Sequence, residues 1–345
     1  MTFRVFGSVC LVLLATTRLG LAQVGVFPER TTDWGDPDLQ GVWDFRTITP
    51  MERPTEFFGK RVLTEEEAAG YEAEENRRQN RDLVDPLKGG AIYPPESEGG
   101  VVPYNEFWYD RGSSLSEGRR TSLIVEPPNG RIPEVLADVD KQGRAVSADV
   151  EGRRPVRFRS GGIGTDGPED RGLAERCLLG FNVGPPFIPS AYNNNMQLVQ
   201  TPEYVVILNE MIHDVRIIPL DDRPHLSRSI RQWMGDSRGY WDGDTLVVET
   251  TNFTNKTSSF NPTIQSAIGS GLTLRLVERF KLGESDTLYY EFMVDDPITF
   301  TQPFRGVIPM KRSAGPIFEY ACHEGNYGMF NLLAGARAQE SENRK

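Results

Sequence analysis

In the second half of this 345-residue chain, apolar and polar positions alternate over segment after segment. Leu288, Tyr290, Phe292 and Val294 fall on one face, and Leu272, Leu274, Leu276 and Phe280 share a face opposite Thr273, Arg275 and Arg279. A period of two marks a strand with one buried face. The pattern predicts eight strands, over 196–200, 204–209, 212–219, 245–251, 272–282, 287–294, 304–310 and 317–322. Turn residues bound them, among them Thr201-Pro202, Asp242-Gly243-Asp244 and Ser313-Ala-Gly315-Pro316. Short connections make neighbouring strands antiparallel, and eight or more such strands curl towards a barrel.

The first half is less regular. Residues 40–48 read as a strand with Trp43 and Phe45 on one face and Val42 on the other, and residues 121–125 as a strand that ends in an Asn129-Gly130 turn. Thr64-Glu-Glu-Glu67 is a capping box, which predicts a helix over 64–81. That helix carries charge almost all round, so it belongs on the surface. Residues 50–118 and 137–195 are long excursions, the first rich in Gly, Pro, Ser and aromatics over 84–118, the second loop-like with charged stretches over 137–172. The Gly161-Gly162-Ile-Gly164 cluster lacks a phosphate-loop lysine and reads as loop. A short helix is expected near the C-terminus, with 339–345 fraying. The fold class is thus mainly β, an antiparallel lipocalin-like barrel or strongly curled sheet in one domain over 23–338.

Residues 1–22 read as a cleavable export signal: Arg4, an apolar run from Val9 to Ala15, then Leu19-Gly-Leu-Ala22. The run is too short and interrupted to span a bilayer, so the mature chain is expected in the periplasm or outside the cell, without a membrane span. A retained N-terminal anchor is the alternative. Removing this segment takes away Arg4 and Arg18 and no acid, so the formal charge moves from -11 to -13. So acidic a chain disfavours nucleic acid and anionic membrane as partners and leaves a small-molecule ligand or substrate. Cys177 and Cys322 remain after processing. In an oxidising compartment they read first as a disulfide, and otherwise as two separate buried thiols.

Several segments carry a resemblance: Ser122-Leu-Ile-Val-Glu-Pro-Pro-Asn-Gly-Arg-Ile-Pro133, Tyr192-Asn-Asn-Asn195 with Gln200-Thr-Pro202, Glu210 to Arg216, Gly235-Asp-Ser-Arg238 with Trp241-x-Gly-Asp-Thr-Leu-Val-Val248, and Ala321-Cys-His-Glu-Gly-Asn-Tyr327. Together they resemble a family of exported bacterial β-rich proteins, over most of 35–338. The resemblance implies export and a β-rich fold and brings no catalytic residue to carry over. Gly41-x-Trp43 at the first strand also resembles the start of lipocalin-like (calycin) barrels, in which the tryptophan plugs the closed end.

The candidate chemistry gathers around the three histidines. His213 lies in Glu210-Met-Ile-His213-Asp214-Val-Arg216, His225 follows Arg223-Pro224, and His323 precedes Glu324. In a strand over 212–219, Asp214, Arg216 and Ile218 share one face and His213, Val215 and Ile217 the other. One polar set therefore faces inward, as a structural pair or as part of a ligand site. For acid–base catalysis, His213 or His323 would move a proton, Asp214 or Glu324 would orient it, and Arg216 would stabilise negative charge. A joint site requires the two histidines within about 10 Å of each other around a concave pocket. For binding, Tyr192, Asn194, Glu210 and Arg216 supply polar contacts. No helical His-Glu-x-x-His spacing or Gly-x-Ser-x-Gly elbow is present, and no metal or cofactor is assigned. Two functions stand: an exported protein that binds a small apolar or carbohydrate-like ligand in a barrel cavity, and a lyase, isomerase, cyclase or hydrolase working in the same cavity.

Overall fold

The computed structural model describes residues 30–80, 82, 105–139, 141–142, 165–263, 266–283 and 286–344. The export signal, two aromatics of the first excursion (Tyr93 and Tyr104) and the glycine cluster at 161–164 lie outside them.

Nine strands form the barrel: β1 (Gly41–Asp44), β4 (Asn195–Gln200), β5 (Tyr204–Asn209), β6 (Val215–Pro219), β7 (Asp236–Asp242), β8 (Thr245–Thr251), β10 (Arg275–Leu282), β11 (Thr287–Asp295) and β12 (Phe304–Arg312). A short β2 (Ile124–Glu126) extends the wall, and β3 (Lys141–Gln142) pairs with β9 (Ala267–Ile268) in a separate ribbon. The order β6-β5-β4-β1-β12-β11-β10-β8-β7 is a meander in which the first strand is hydrogen-bonded to the last. Each pair in it is antiparallel.

Nine is an odd number, and this decides where the barrel stays open. Alternating directions around the order leave β6 and β7 pointing the same way. Parallel neighbours need a crossover, and residues 220–235 supply it. No ladder joins β6 to β7, so the barrel is nearly closed. The strands still touch: a Cβ on Gly239 of β7 would lie 2.9 Å from the side chains of Ile218 and Leu220, so only glycine fits there.

Alternation fills the interior. Met196, Leu198, Val205, Ile207, Ile218, Leu246, Val248, Leu276, Phe280, Leu288, Phe292, Val294, Phe304, Ile308 and Met310 are buried in one cluster. Trp43 is fully buried with them, its indole N–H donating to the Leu39 carbonyl at 2.9 Å and the Arg312 guanidinium 4.3 Å above its ring. Phe187 inserts from the second excursion, its ring centre 5.3 Å from Phe45 and 5.0 Å from Tyr290. Buried side chains from all round the wall thus meet in the barrel interior.

Polar groups interrupt this core at one place. Arg216 on β6 and Glu278 on β10 form a bidentate pair with side-chain exposures of 3% and 0%. Tyr290 donates to Glu278 at 2.9 Å. Arg216 Nη2 also donates to Ser237 of β7 and Thr250 of β8, whose hydroxyls lie 2.9 Å apart. Burial first, and then the Glu278 carboxylate, hold the Tyr290 hydroxyl well above its ordinary pKa. The expected inward polar set is therefore that of Arg216, while Val215 and Ile217 face out. Its partner is Glu278 rather than the nearby Asp214.

Other expectations shift at element ends. The strand expected over 212–219 begins only at Val215, because Met211–His213 form a tight 3-10 turn with positive φ at Ile212 and His213. The strand expected over 272–282 begins at Arg275 after a 3-10 turn over Gly271–Thr273. Residues 317–322 form no strand. They run as an irregular arm into α2 (Tyr327–Asn343), which continues through most of the segment expected to fray. The helix at the capping box, α1 (Glu65–Gln79), has both reciprocal Thr64–Glu67 bonds and buries Ala68 in a satellite cluster with Ile48, Leu63 and Leu115.

Breaking a buried pair on one side leaves an uncompensated charge. Arg216→Ala is expected to cost about 3–5 kcal/mol in urea unfolding, and the double change Arg216→Met with Glu278→Leu much less. Equal losses for the two variants would show that the pair itself supplies the stability.

Candidate functional site

Three places bring polar side chains together. The first is the Arg216–Glu278–Tyr290 cluster, which is enclosed by the barrel. The sequence pointed to Arg216 but not to its partners. Glu278 sits between Leu276 and Phe280 on the inward face of β10, and Tyr290 between Leu288 and Phe292 on β11. A charged residue at an apolar position of an alternating strand was the available signal.

The second place is the corner where the β5–β6 turn meets the C-terminal arm. The buried Glu210 accepts from Asn195 Nδ2 at 2.8 Å and from the Phe318 backbone N–H at 3.1 Å. Asp214 accepts from the Gly180 N–H at 3.0 Å. The exposed His213 has its Nδ1 3.2 Å from the Tyr320 carbonyl oxygen. Cys177 and Cys322 form a disulfide with Cα atoms 5.8 Å apart, and Asn326 donates to the Glu175 carbonyl. Beneath lies a second apolar cluster that includes Leu179, Phe181, Met211 and Ile212. Ile212 holds a positive φ of 59° there, a strained conformation for a β-branched residue that burial in this cluster sustains. His323 and Glu324 stand exposed in the turn after the disulfide. The His213 contact to Tyr320 brings the two histidine-bearing stretches to this corner, where both His213 and His323 are exposed.

The two other predicted binding residues sit nearby. Tyr192 packs edge-on against Phe181, ring centres 5.5 Å apart. Asn194 is buried and accepts from the Ser190 N–H, while its amide donates to the carbonyls of Ser190 and Asp110. His225 is placed by a buried carboxylate, its Nδ1 3.0 Å from Asp236, which Arg238 also holds. Among the described residues no group of three or more His, Cys, Asp or Glu is placed to hold a metal ion.

The third place is a cleft of about 510 Å³ on the outside of the wall, opening beside a second of about 610 Å³. Its floor is the outer face of β1, β12 and β11. Asp44 and Lys311 are direct cross-strand neighbours there, with Thr287 next to Lys311 on the other side. Its far wall is residues 109–117, held from three directions. Asn194 and Ala191 fix the backbone of Asp110. Asn76 and Glu72 of α1 bind the backbone at Ser113 and Leu115. Ile48 donates to the Ser114 carbonyl. Gly112 lies so close to the backbone at 46–47 that a Cβ would sit 3.3 Å from it, at a φ of 82° that favours glycine.

Across the cleft Arg46 is shared by Asp44 and Asp110. Burial raises the Asp44 carboxyl above its ordinary value, outweighing the hydrogen bonds and charge that Arg46 supplies. Arg111 pairs with Glu106 and lies over the Tyr109 ring. The Tyr289 hydroxyl donates to Glu117. Between Glu106 and Tyr109, Phe107 and Trp108 are 81% and 62% exposed, their ring centres 5.3 Å apart. None of the residues singled out from the sequence lines this cleft. Asn194 supports its wall from behind.

Comparison with protein-family models, with curated proteins and with solved structures found no match. The chain is therefore placed in no family by these comparisons.

Because the folded pKa of Asp44 is raised, its favourable contribution is fully present below the unfolded value of 3.8 and is lost as pH rises through the folded value. Asp44→Asn, which keeps an oxygen for the Arg46 N–H, should gain thermal stability relative to the parent across that rise. A melting-temperature difference independent of pH between 3 and 7 would contradict the raised carboxyl (about one proton is at issue).

Proposed function

We propose that this is an exported protein that binds a small carbohydrate-like molecule, in the cleft on the outer wall of the barrel rather than inside it. The observation that carries this reading is the cleft itself: ringed by carboxylates, hydroxyls and guanidinium groups, with the Tyr109 ring in its lining and the exposed Phe107 and Trp108 just before it in the chain. Sugars present hydroxyls in the plane of the ring and C–H groups on its faces. Carboxylates and serines serve the first, and aromatic faces the second. The cleft volume falls within the range of small-molecule sites, roughly 300–1,000 Å³, whereas side chains occupy the barrel interior. The Cys177–Cys322 disulfide fits an oxidising, exported location. The meander order and the buried Trp43 of the first strand support a lipocalin-like relationship, with the ligand site moved outside the wall.

The alternative, acid–base catalysis by His213 and His323 with Asp214 and Glu324, draws on one observation. The His213 contact to Tyr320 brings both stretches to the same corner. A substrate would have to lie on an open surface there, where water competes for every hydrogen bond, so we place this reading second.

Isothermal titration with mono- and disaccharides tests the first reading. Tyr109→Ala, which removes the aromatic ring that lines the cleft, should weaken the best-bound sugar about tenfold, the loss of one aromatic stacking contact. His213→Ala and His323→Ala should leave binding intact. Binding that survives Tyr109→Ala together with Asp110→Ala, both in the cleft lining, would exclude the cleft as the sugar site.

A further inference from the structure

We propose that the cleft selects acidic sugars, hexuronates, through Lys311; this inference rests on the carbohydrate reading above. Most charges around the cleft are already answered within the protein. Asp44 and Asp110 share Arg46, Glu106 pairs with Arg111, Asp286 with Arg30 and Arg312, and Glu117 accepts from Tyr289. Lys311 is different. It lines both halves of the cleft, and among the described residues it makes no ion pair and no side-chain hydrogen bond.

The reason is local. Lys311 stands directly opposite Asp44 across the β1–β12 pair, the position in which a cross-strand ion pair usually forms. Both oxygens of Asp44 are turned away, one accepting the Arg46 backbone N–H at 2.9 Å and the other the Arg46 guanidinium. Thr287, the neighbour on the other strand, offers no charge. The geometry therefore leaves an ammonium facing the cleft at the junction of its two halves.

Filling the cleft with a neutral sugar would strip water from this ammonium and give it no counter-charge. A carboxylate at the sugar C6 position supplies one, as a charge-assisted hydrogen bond. The remaining hydroxyls can meet the acceptor oxygens of Glu117 and Asp110, which repel a second negative charge. This favours a monoanionic hexuronate over phosphorylated or sulfated sugars that carry more charge.

The test compares matched pairs on the full chain by titration calorimetry and ligand-observed NMR: D-glucuronate with D-glucose, and D-galacturonate with D-galactose. The uronate of at least one pair should bind about tenfold tighter than its neutral partner, and this preference should fall as salt is raised. Lys311→Met should bring the ratio within a pair to about one, with an unchanged melting temperature, since the side chain is exposed. Equal affinity within both pairs, or a preference that persists in Lys311→Met, overturns the role of Lys311 while the sugar reading stands. If the unaltered protein binds none of the four sugars and no disaccharide, both readings fall together. The salt series on the unaltered protein decides the question even if the variant fails to fold.

Discussion

One guanidinium sets how the two ends of the barrel wall meet. Arg216 leaves β6 at the seam where two strands run parallel without a ladder, and its hydrogen bonds reach β7, β8 and β10 in turn. Backbone pairing holds the other junctions of the wall. Here a side chain spans the junction from within, and the carboxylate that answers it comes from three strands further round. The cluster occupies space that apolar groups fill elsewhere in the core, and it is fully engaged apart from the buried Arg216 Nε, which has no partner among the described residues. A buried pair of this kind contributes little net stability compared with a well-packed apolar substitute. Its geometric requirement is strict, because both carboxylate oxygens must meet both terminal nitrogens. That requirement fixes how β6 and β7 approach each other where no ladder does.

Much of the fold was legible because strands that face a core must alternate. Leu288, Tyr290, Phe292 and Val294 are buried as the pattern demands, as are Leu276 and Phe280. The pattern failed where something other than alternation sets the conformation. β7 (Asp-Ser-Arg-Gly-Tyr-Trp-Asp) lacks an apolar face because Ser237 serves the polar cluster and Gly239 makes room for Ile218. Residues 317–322 alternate passably yet pair with nothing, being held by Glu210, the disulfide and the contact to His213. Glu278 was invisible as a partner of Arg216 because 62 residues separate them and only barrel closure brings them together.

The cleft was less legible still. Its chemistry comes from three parts of the chain: Asp44 at the end of the first strand with Arg46 just after it, Asp110 to Glu117 from the first excursion, and Lys311 from the last strand. No local spacing predicts such a meeting. The fold permits it because β1 covers only the last two residues of β12, and β2 takes up the other end of the same edge. The short first strand lets the chain leave the wall at Phe45 and return as the excursion that roofs the cleft. Histidine is the residue type best suited to acid–base chemistry, but in this fold the three histidines fasten turns and loops or stand on the surface.

The disulfide has a consequence for the unfolded chain. Cys177 lies before the first of the eight barrel strands from β4 onward, and Cys322 follows the last, 145 residues later. In the native molecule the two meet where the β5–β6 turn packs on the 173–183 segment and the C-terminal arm runs over it. The bond therefore ties together the two ends of the run that builds most of the wall, and they stay within reach of each other even when the strands between them part. A loop this long, once closed, leaves the disordered chain fewer ways to spread, so the bond acts on the unfolded ensemble as much as on the corner where it sits.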